Sequence, residues 1–280
     1  MSLLWPNQLL VALASDNVAV INRVRGFSKG VVNHHHAVCK PHPEEPLWLA
    51  STRQFEQFLT ATQVRPNTHL NIVLANNFVR YLALPPQQVP MNAAEKSAYA
   101  TAAYREVYGI AANDWHIQLH DAPPHQTTIV AAVDKKLLSM LSQITQNKQI
   151  KLNGIQPYLM TVFNGLAEQL KKVNGYLAIV ESGRLLLVQL KQGQCENLRT
   201  YVTTDDWQAE LKRLMMRELL LNGFSNDGVV KDLLIYAPVH VNDVINEIKG
   251  WRVKRINISK KVLNVSKINV NHFAMLEASV

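Results

Sequence analysis

Cysteine is nearly absent: Cys39 and Cys195 are the only two in 280 residues. Two thiols cannot build a disulfide framework, and a reducing compartment would keep both as thiols. Long apolar runs are also missing. The best candidates, around Leu185–Val188 and Leu219–Leu221, break within a few residues, far short of the ~20 that cross a bilayer as a helix. Met1–Pro6 lack the basic start, apolar stretch and small-residue cleavage site of a signal peptide, so a cytosolic protein is expected. Among the 11 glycines there is no Walker loop, no Gly-x-Gly-x-x-Gly and no Gly-x-Ser-x-Gly, so no nucleophile or nucleotide signature stands out. Acidic residues number 21 against 29 Lys and Arg, a net charge of +8. Part of the excess lies in Lys249, Arg252, Lys254, Arg255, Lys260, Lys261 and Lys267. Such a balance suits an anionic membrane surface, an acidic partner or nucleic acid, or simply a solvated basic face.

What is present is a globular composition, 48% hydrophobic and 18% charged, long enough for two α/β lobes. Leu9–Ala14, Val18–Val24 and Val31–Val38 read as three strands in succession. A helix follows, capped by Ser51 or Thr52, with Phe55, Phe58, Leu59 and Thr62 on one face. Leu70–Leu84 reads as a strand, a bend at Asn76-Asn77 and a second strand stopped by Pro85-Pro86. A helix over about Ala93–Tyr108 ends at Gly109. Trp115–His120 and Thr127–Val133 are two strands around Pro123-Pro124. Leu137, Leu141 and Ile144 mark one helical stripe, and Leu159, Val162, Phe163, Leu166 and Leu170 mark another behind Pro157. After Asn174-Gly175 come three more strands, Tyr176–Val180, Leu185–Leu190 and Asn197–Val202. A helix capped by Thr204, with Asp205 and Asp206 in its first turn, buries Trp207, Leu211, Leu214 and Met215 and closes at Gly223. Asp232–Ala237, Asn242–Ile248 and Trp251–Ile258 read as strand, helix and strand.

The two halves repeat. Ser15 with Ser182 and Gly26 with Gly193 share one spacing, 182 − 15 = 193 − 26 = 167. At that spacing Leu10–Leu13 lies over Leu177–Val180 and Val18–Ile21 over Leu185–Val188. The order strand-strand-strand-helix-strand-helix-strand, met twice, predicts an α/β chain with a duplicated ribonuclease H-like fold.

At Asn71–Pro85, "NIVLANNFVRYLALP" resembles the strand pair of the family formed by the type IV pilus assembly protein PilM and the cytoplasmic domain of the type II secretion protein GspL. Glu95–Tyr108, Trp115–Val133 with its small-residue strand "IVAAV", Leu137–Ile150 and Gly154–Leu170 resemble the segments that follow, in order. "YLAIVESGRLLLVQLKQGQCENLRTY" resembles the opening of that family's second lobe, with Arg199 on its last strand. The resemblance implies an actin-like ATPase fold: a first lobe over 1–174 with an inserted subdomain at about 92–151, and a second lobe over 175–280. It also implies a place on the cytoplasmic side of the inner membrane, peripheral to it. The implied partner is the cytoplasmic tail of a single-pass pilus or secretion protein, and there is room for a homodimer. The tail would sit between insert and first lobe, with Arg80, Tyr104 and Arg105 as contact residues, since aromatics and Arg dominate binding hot spots. Tyr99, Tyr104, Tyr108 and Trp115 could equally pack the insert.

Departures from the superfamily set the chemistry expected. Actin-like ATPases hold phosphates in hairpin turns rich in Asp, Gly and Ser or Thr. Here the first turn is Ala14-Ser15-Asp16-Asn17, without glycine, and the second is Glu181-Ser182-Gly183-Arg184. Ser15, Asp16, Ser182 and Gly183 are thus degenerate phosphate-loop positions. The adenosine loop is replaced by Ala237-Pro238-Val239-His240, where Pro238 removes a donor. No cofactor and no catalytic residue is expected, and a scaffold is favoured over an actin-like ATPase or phosphotransferase. His34-His35-His36 with Cys39 and His42 has metal-ligand types but no clean spacing, so a surface His run is expected rather than a metal site. The Trp251–Arg255 segment alternates as a half-exposed strand does, so no nucleic-acid partner is expected.

Overall fold

Leu9–Leu13 and Val18–Ile21 are buried along their whole length, which is why they read as unbroken apolar runs: they are central strands covered on both faces. The structure is a computed structural model that describes residues 7–24, 31–87, 89–119, 122–123, 125–204, 206–221, 231–258 and 273–278. Its first half holds β1 (Gln8–Leu13), β2 (Asn17–Val24), β3 (Val31–Val38), α1 (Leu49–Ala61), β4 (His69–Leu74), β5 (Val79–Leu84), α2 (Ala93–Tyr108), β6 (Trp115–Leu119), β7 (Thr128–Asp134), α3 (Lys135–Asn147), β8 (Lys151–Pro157) and α4 (Tyr158–Leu170). The second half holds β9 (Gly175–Glu181), β10 (Arg184–Lys191), β11 (Gln194–Val202), α5 (Trp207–Leu221), β12 (Lys231–Tyr236), β13 (Trp251–Arg255) and α6 (Ala274–Glu277).

Two five-stranded sheets have the same plan: β3-β2-β1-β4-β8 in one and β11-β10-β9-β12-β13 in the other. The first three strands of each are antiparallel and the last two join in parallel. The 167-residue spacing survives in the pairing itself. Val11 faces Val20 and Ala178 faces Leu187, so both partners move by the same amount. The fold is therefore a duplicated, two-lobed α/β structure. Gly175 opens β9 where β12 runs closest: a Cβ there would stand 2.0 Å from the Asp232 carbonyl oxygen, and φ is +154°, so only glycine fits.

The third sheet, β5-β7-β6, is covered by α2. Its core is Leu84, Ala100, Tyr104, Ala112, Val130 and Ala132. α2 starts with a reciprocal cap, Asn92 Oδ1 accepting from the Glu95 N–H while the Glu95 carboxylate accepts from the Asn92 N–H. This sheet takes in β5, which precedes Asn92. α3, within the expected insert range 92–151, instead packs Leu137, Leu141 and Ile144 into the main core. That core runs without a break from β1, β2 and β4 through α4 to β9, β10 and β12, and so joins the lobes. α6 returns to β1, with Phe273, Leu276 and Ala278 in the same cluster.

Several local expectations change. The strand, bend and strand of Leu70–Leu84 are present, but the two strands do not pair: β4 pairs with β1 and β8, and β5 with β7, so the chain passes from one sheet to another there. Ser51 and Thr52 do not cap α1. Both lie inside its first turn and donate to the Trp48 carbonyl. β8 is an unexpected strand, and α4 begins directly behind Pro157 as expected. On α5 the cap is Asp206, whose Oδ1 accepts from the Ala209 N–H at 3.0 Å, not Thr204. Gly223 lies outside the described residues. Asn242–Ile248 is not helical. The carbonyls of His240, Val241 and Asp243 accept from the Arg255 guanidinium, and Asn, Asp and Val are weak helix formers.

Candidate functional site: an apolar groove beside a closed interlobe contact

The two degenerate phosphate turns face each other across Asn76-Asn77. Ser15 Oγ accepts from Asn77 Nδ2 at 2.7 Å, and in the same turn the Ala14 N–H donates to the Asn17 carbonyl. From the other lobe Glu181 reaches Asn76: one carboxylate oxygen accepts from the Asn76 N–H at 3.1 Å, the other from its Nδ2. Asn76 Oδ1 accepts from the Tyr81 hydroxyl at 2.6 Å and from the Leu159 N–H at 3.0 Å. One buried amide thus ties both lobes, the third sheet and α4 together. Glu181 keeps some solvent contact as a residue, but its carboxylate is enclosed. Burial pushes it up to about 7 against the pull of the Asn76 hydrogen bonds. Ser182 and Gly183 form the tip of the β9–β10 turn, Gly183 with φ +66°. At Pro238–His240 the chain makes a 3₁₀ turn, and the His240 ring lies 5.5 Å from that of Trp207.

The expected contact residues lie near one another in the third-sheet subdomain but differ in exposure. Tyr104 is fully buried. Its hydroxyl donates within 2.7 Å of the Arg80 carbonyl and lies 3.0 Å from that of Val130, and its ring stacks on Tyr108 and meets Trp115 edge-on. It packs the subdomain core. Arg105 is exposed and bonds Asn113. Arg80 is exposed, with its guanidinium 6.0 Å from the Trp115 ring centre.

What lies between the third sheet and the first lobe is a groove of about 390 Å³. β7 alternates strictly: Val130 and Ala132 face α2, while Ile129, Ala131 and Val133 are half-buried on the other side. Those three, with Tyr81, form one wall; Leu74, Ile155, Pro157 and Met160 form the other. His116 and Gln118, exposed on β6, stand on the rim. β6 pairs only with β7 among the described residues, so its outer backbone groups have no ladder partner there. An extended peptide can satisfy such an edge while its alternate side chains enter the groove. The sequence signal was the alternation in Thr128–Asp134, but both its faces are apolar, so only packing shows which one stays open.

No group of three or more His, Cys, Asp or Glu among the described residues could hold a metal. The His run lies on the edge strand β3. His34 and His36 lie against Phe273, and His35 against Phe58. Burial, then the charge of Arg23, lowers the His34 pKa. Cys39 and Cys195 are free thiols, which burial pushes up to about 11 and about 12. Among the described residues no helix is long and apolar enough to cross a membrane.

No family model matches the sequence, and no curated protein matches it. Solved structures do. The chain is similar to a structure of the PilM-PilN type IV pilus biogenesis complex, with TM-score 0.63, 11% identity and 97% of each chain covered. It is similar to a Bacteroides thetaiotaomicron protein with an actin-like ATPase fold, with TM-score 0.61, 10% identity and 98% and 96% of the two chains covered. It is also similar to the cytoplasmic domain of EpsL, an inner membrane component of the Vibrio cholerae type II secretion system. There the TM-score is 0.55 and the identity 12%, with 98% and 94% covered. At these identities the likeness is one of fold, and the fold of this chain is that of the actin-like ATPases.

Proposed function

We propose that the chain is a non-catalytic scaffold of a type IV pilus or type II secretion-like platform, peripheral to the cytoplasmic face of the inner membrane. It captures the cytoplasmic tail of a single-pass membrane partner in the groove between third sheet and first lobe. The observation that carries this is the groove itself, apolar on both walls and bordered by β6, whose outer edge has no strand partner among the described residues. The fold likeness to PilM in a complex with PilN and to EpsL supports it. The domain division we propose is 1–174 and 175–280. An ATPase is disfavoured because the first turn lacks glycine and Glu181 of the second is tied to Asn76.

The test is capture of membrane-protein tails by the full chain. The intact protein is expected to retain a tail, and Ala131→Arg, which fills the groove, to lose it by at least ~10-fold, the scale of a lost hot spot. Capture surviving in folded Ala131→Arg but lost in Arg80→Ala plus Arg105→Ala would move the site out of the groove.

A further inference from the structure

Four arginines from separate elements converge away from the groove. Arg80 on β5, Arg184 on β10, Arg199 on β11 and Arg217 on α5 line an open cavity of about 760 Å³ where the third sheet meets the second lobe. Their charge is only partly offset. The buried Glu218 carboxylate takes Arg199 at 2.8 Å and Arg217 at 3.3 Å and also accepts from the Tyr176 hydroxyl. Arg80 and Arg184 have no ion pair among the described residues. Glu181 favours the Arg184 charge from a distance, but burial and the field of Arg80 outweigh it. The Nε groups of Arg184 and Arg217 are enclosed without a hydrogen-bond partner. Guanidinium charge gathered around one cavity and only partly paired favours an anion there.

We propose that this cavity is a second binding site, for an acidic peptide segment whose carboxylates alternate with apolar or aromatic side chains. The cations are spread around a space much larger than one phosphate, with Val79, Leu198, Tyr108 and Tyr201 between them. Arg pairs carboxylates through a two-pronged fork, and Arg with Tyr is the composition of peptide hot spots. Tyr201 already braces Arg217, accepting from Nη2 at 2.6 Å with its ring 5.6 Å from the guanidinium carbon. Among the described residues no glycine lines the cavity, so none of them forms a backbone nest of the kind that wraps a compact phosphate. The site goes beyond tail capture and does not depend on it, because the two cavities share no wall except β5.

The experiment is fluorescence anisotropy on the full chain with a fluorescein-labelled peptide of Glu alternating with Leu or Tyr. A Lys-for-Glu peptide is the control and inorganic pyrophosphate the competitor. The Glu peptide should bind, the Lys peptide should not, and the affinity should fall as salt rises. Arg80→Gln plus Arg184→Gln should weaken binding at least ~10-fold, as loss of hot-spot arginines does. Arg252→Gln, which breaks a pair with Asp232 on the opposite edge of the sheet, should leave it unchanged. If the double variant does not fold, Arg80→Gln alone, altering an exposed side chain, should still weaken binding several-fold. Equal binding of the Lys peptide, undiminished binding by the folded arginine variants, or pyrophosphate binding that the Glu peptide cannot displace would each overturn the proposal. The last outcome would make the cavity a small-anion site.

Discussion

Asn76 joins three parts of the molecule with one side chain, and its most sensitive partner is Glu181. An ordinary glutamate titrates near 4.5, whereas burial, partly countered by the Asn76 hydrogen bonds, raises Glu181 to about 7. Between those values the folded chain holds a proton that the unfolded chain has released. The stability tied to this group is therefore fully present below about 4.5 and is lost as pH rises through about 7. Urea midpoints compared between the wild type and Glu181→Gln should show it: the wild type falls relative to the variant from pH 4.5 to 8. A constant difference across that range would mean that the carboxylate is not enclosed as described. The sequence marked Glu181 only as an acid in a damaged loop, and Asn76 only as a bend. Their meeting, 105 residues apart, depends on how the lobes close.

Elements were legible where one period ruled them. α5 shows its buried stripe by 3.6-residue spacing: Trp207, Leu211, Leu214 and Met215 are buried while Lys212 and Arg213 are exposed. Leu211→Ala should cost about 2–5 kcal/mol in chemical denaturation, the range for truncating a buried Leu, and Lys212→Ala less than about 0.5 kcal/mol. A cost for Leu211→Ala near that of Lys212→Ala would mean that the helix does not pack this way. Elements were misread where side chains from elsewhere took the backbone groups. Arg255 claims the carbonyls of the segment after β12, and nothing local to Asn242–Ile248 announces that. The missed β8 has Gly154 and Pro157 among its seven residues, weak strand formers that an edge position tolerates.

At the scale of the whole molecule, the closed contact between the turns bears on nucleotide. The full chain should gain no Mg²⁺-dependent thermal stabilisation from millimolar ATP. A ligand at ~100 times its Kd would add about 2.7 kcal/mol, an easily visible rise in Tm. A saturable rise that needs Mg²⁺ would show that Asn76 and Glu181 part to admit nucleotide, and would revive the ATPase reading.

By itself the sequence determined the duplication and the three strands that open each half. Both follow from which residues must be buried, and burial leaves a period in the chain: the 167-residue spacing reappears in the pairing of β1 with β2 and of β9 with β10. Only the tertiary structure decided that β4 and β5 belong to different sheets, that Tyr104 faces inward, and that one face of β7 stays open. It also brought Arg80 beside Arg184 and Arg217. Each of these depends on contacts between segments far apart in the chain. The hydrophobic effect that drives such contacts has no direction, so a local pattern can say that a residue is covered but not by what.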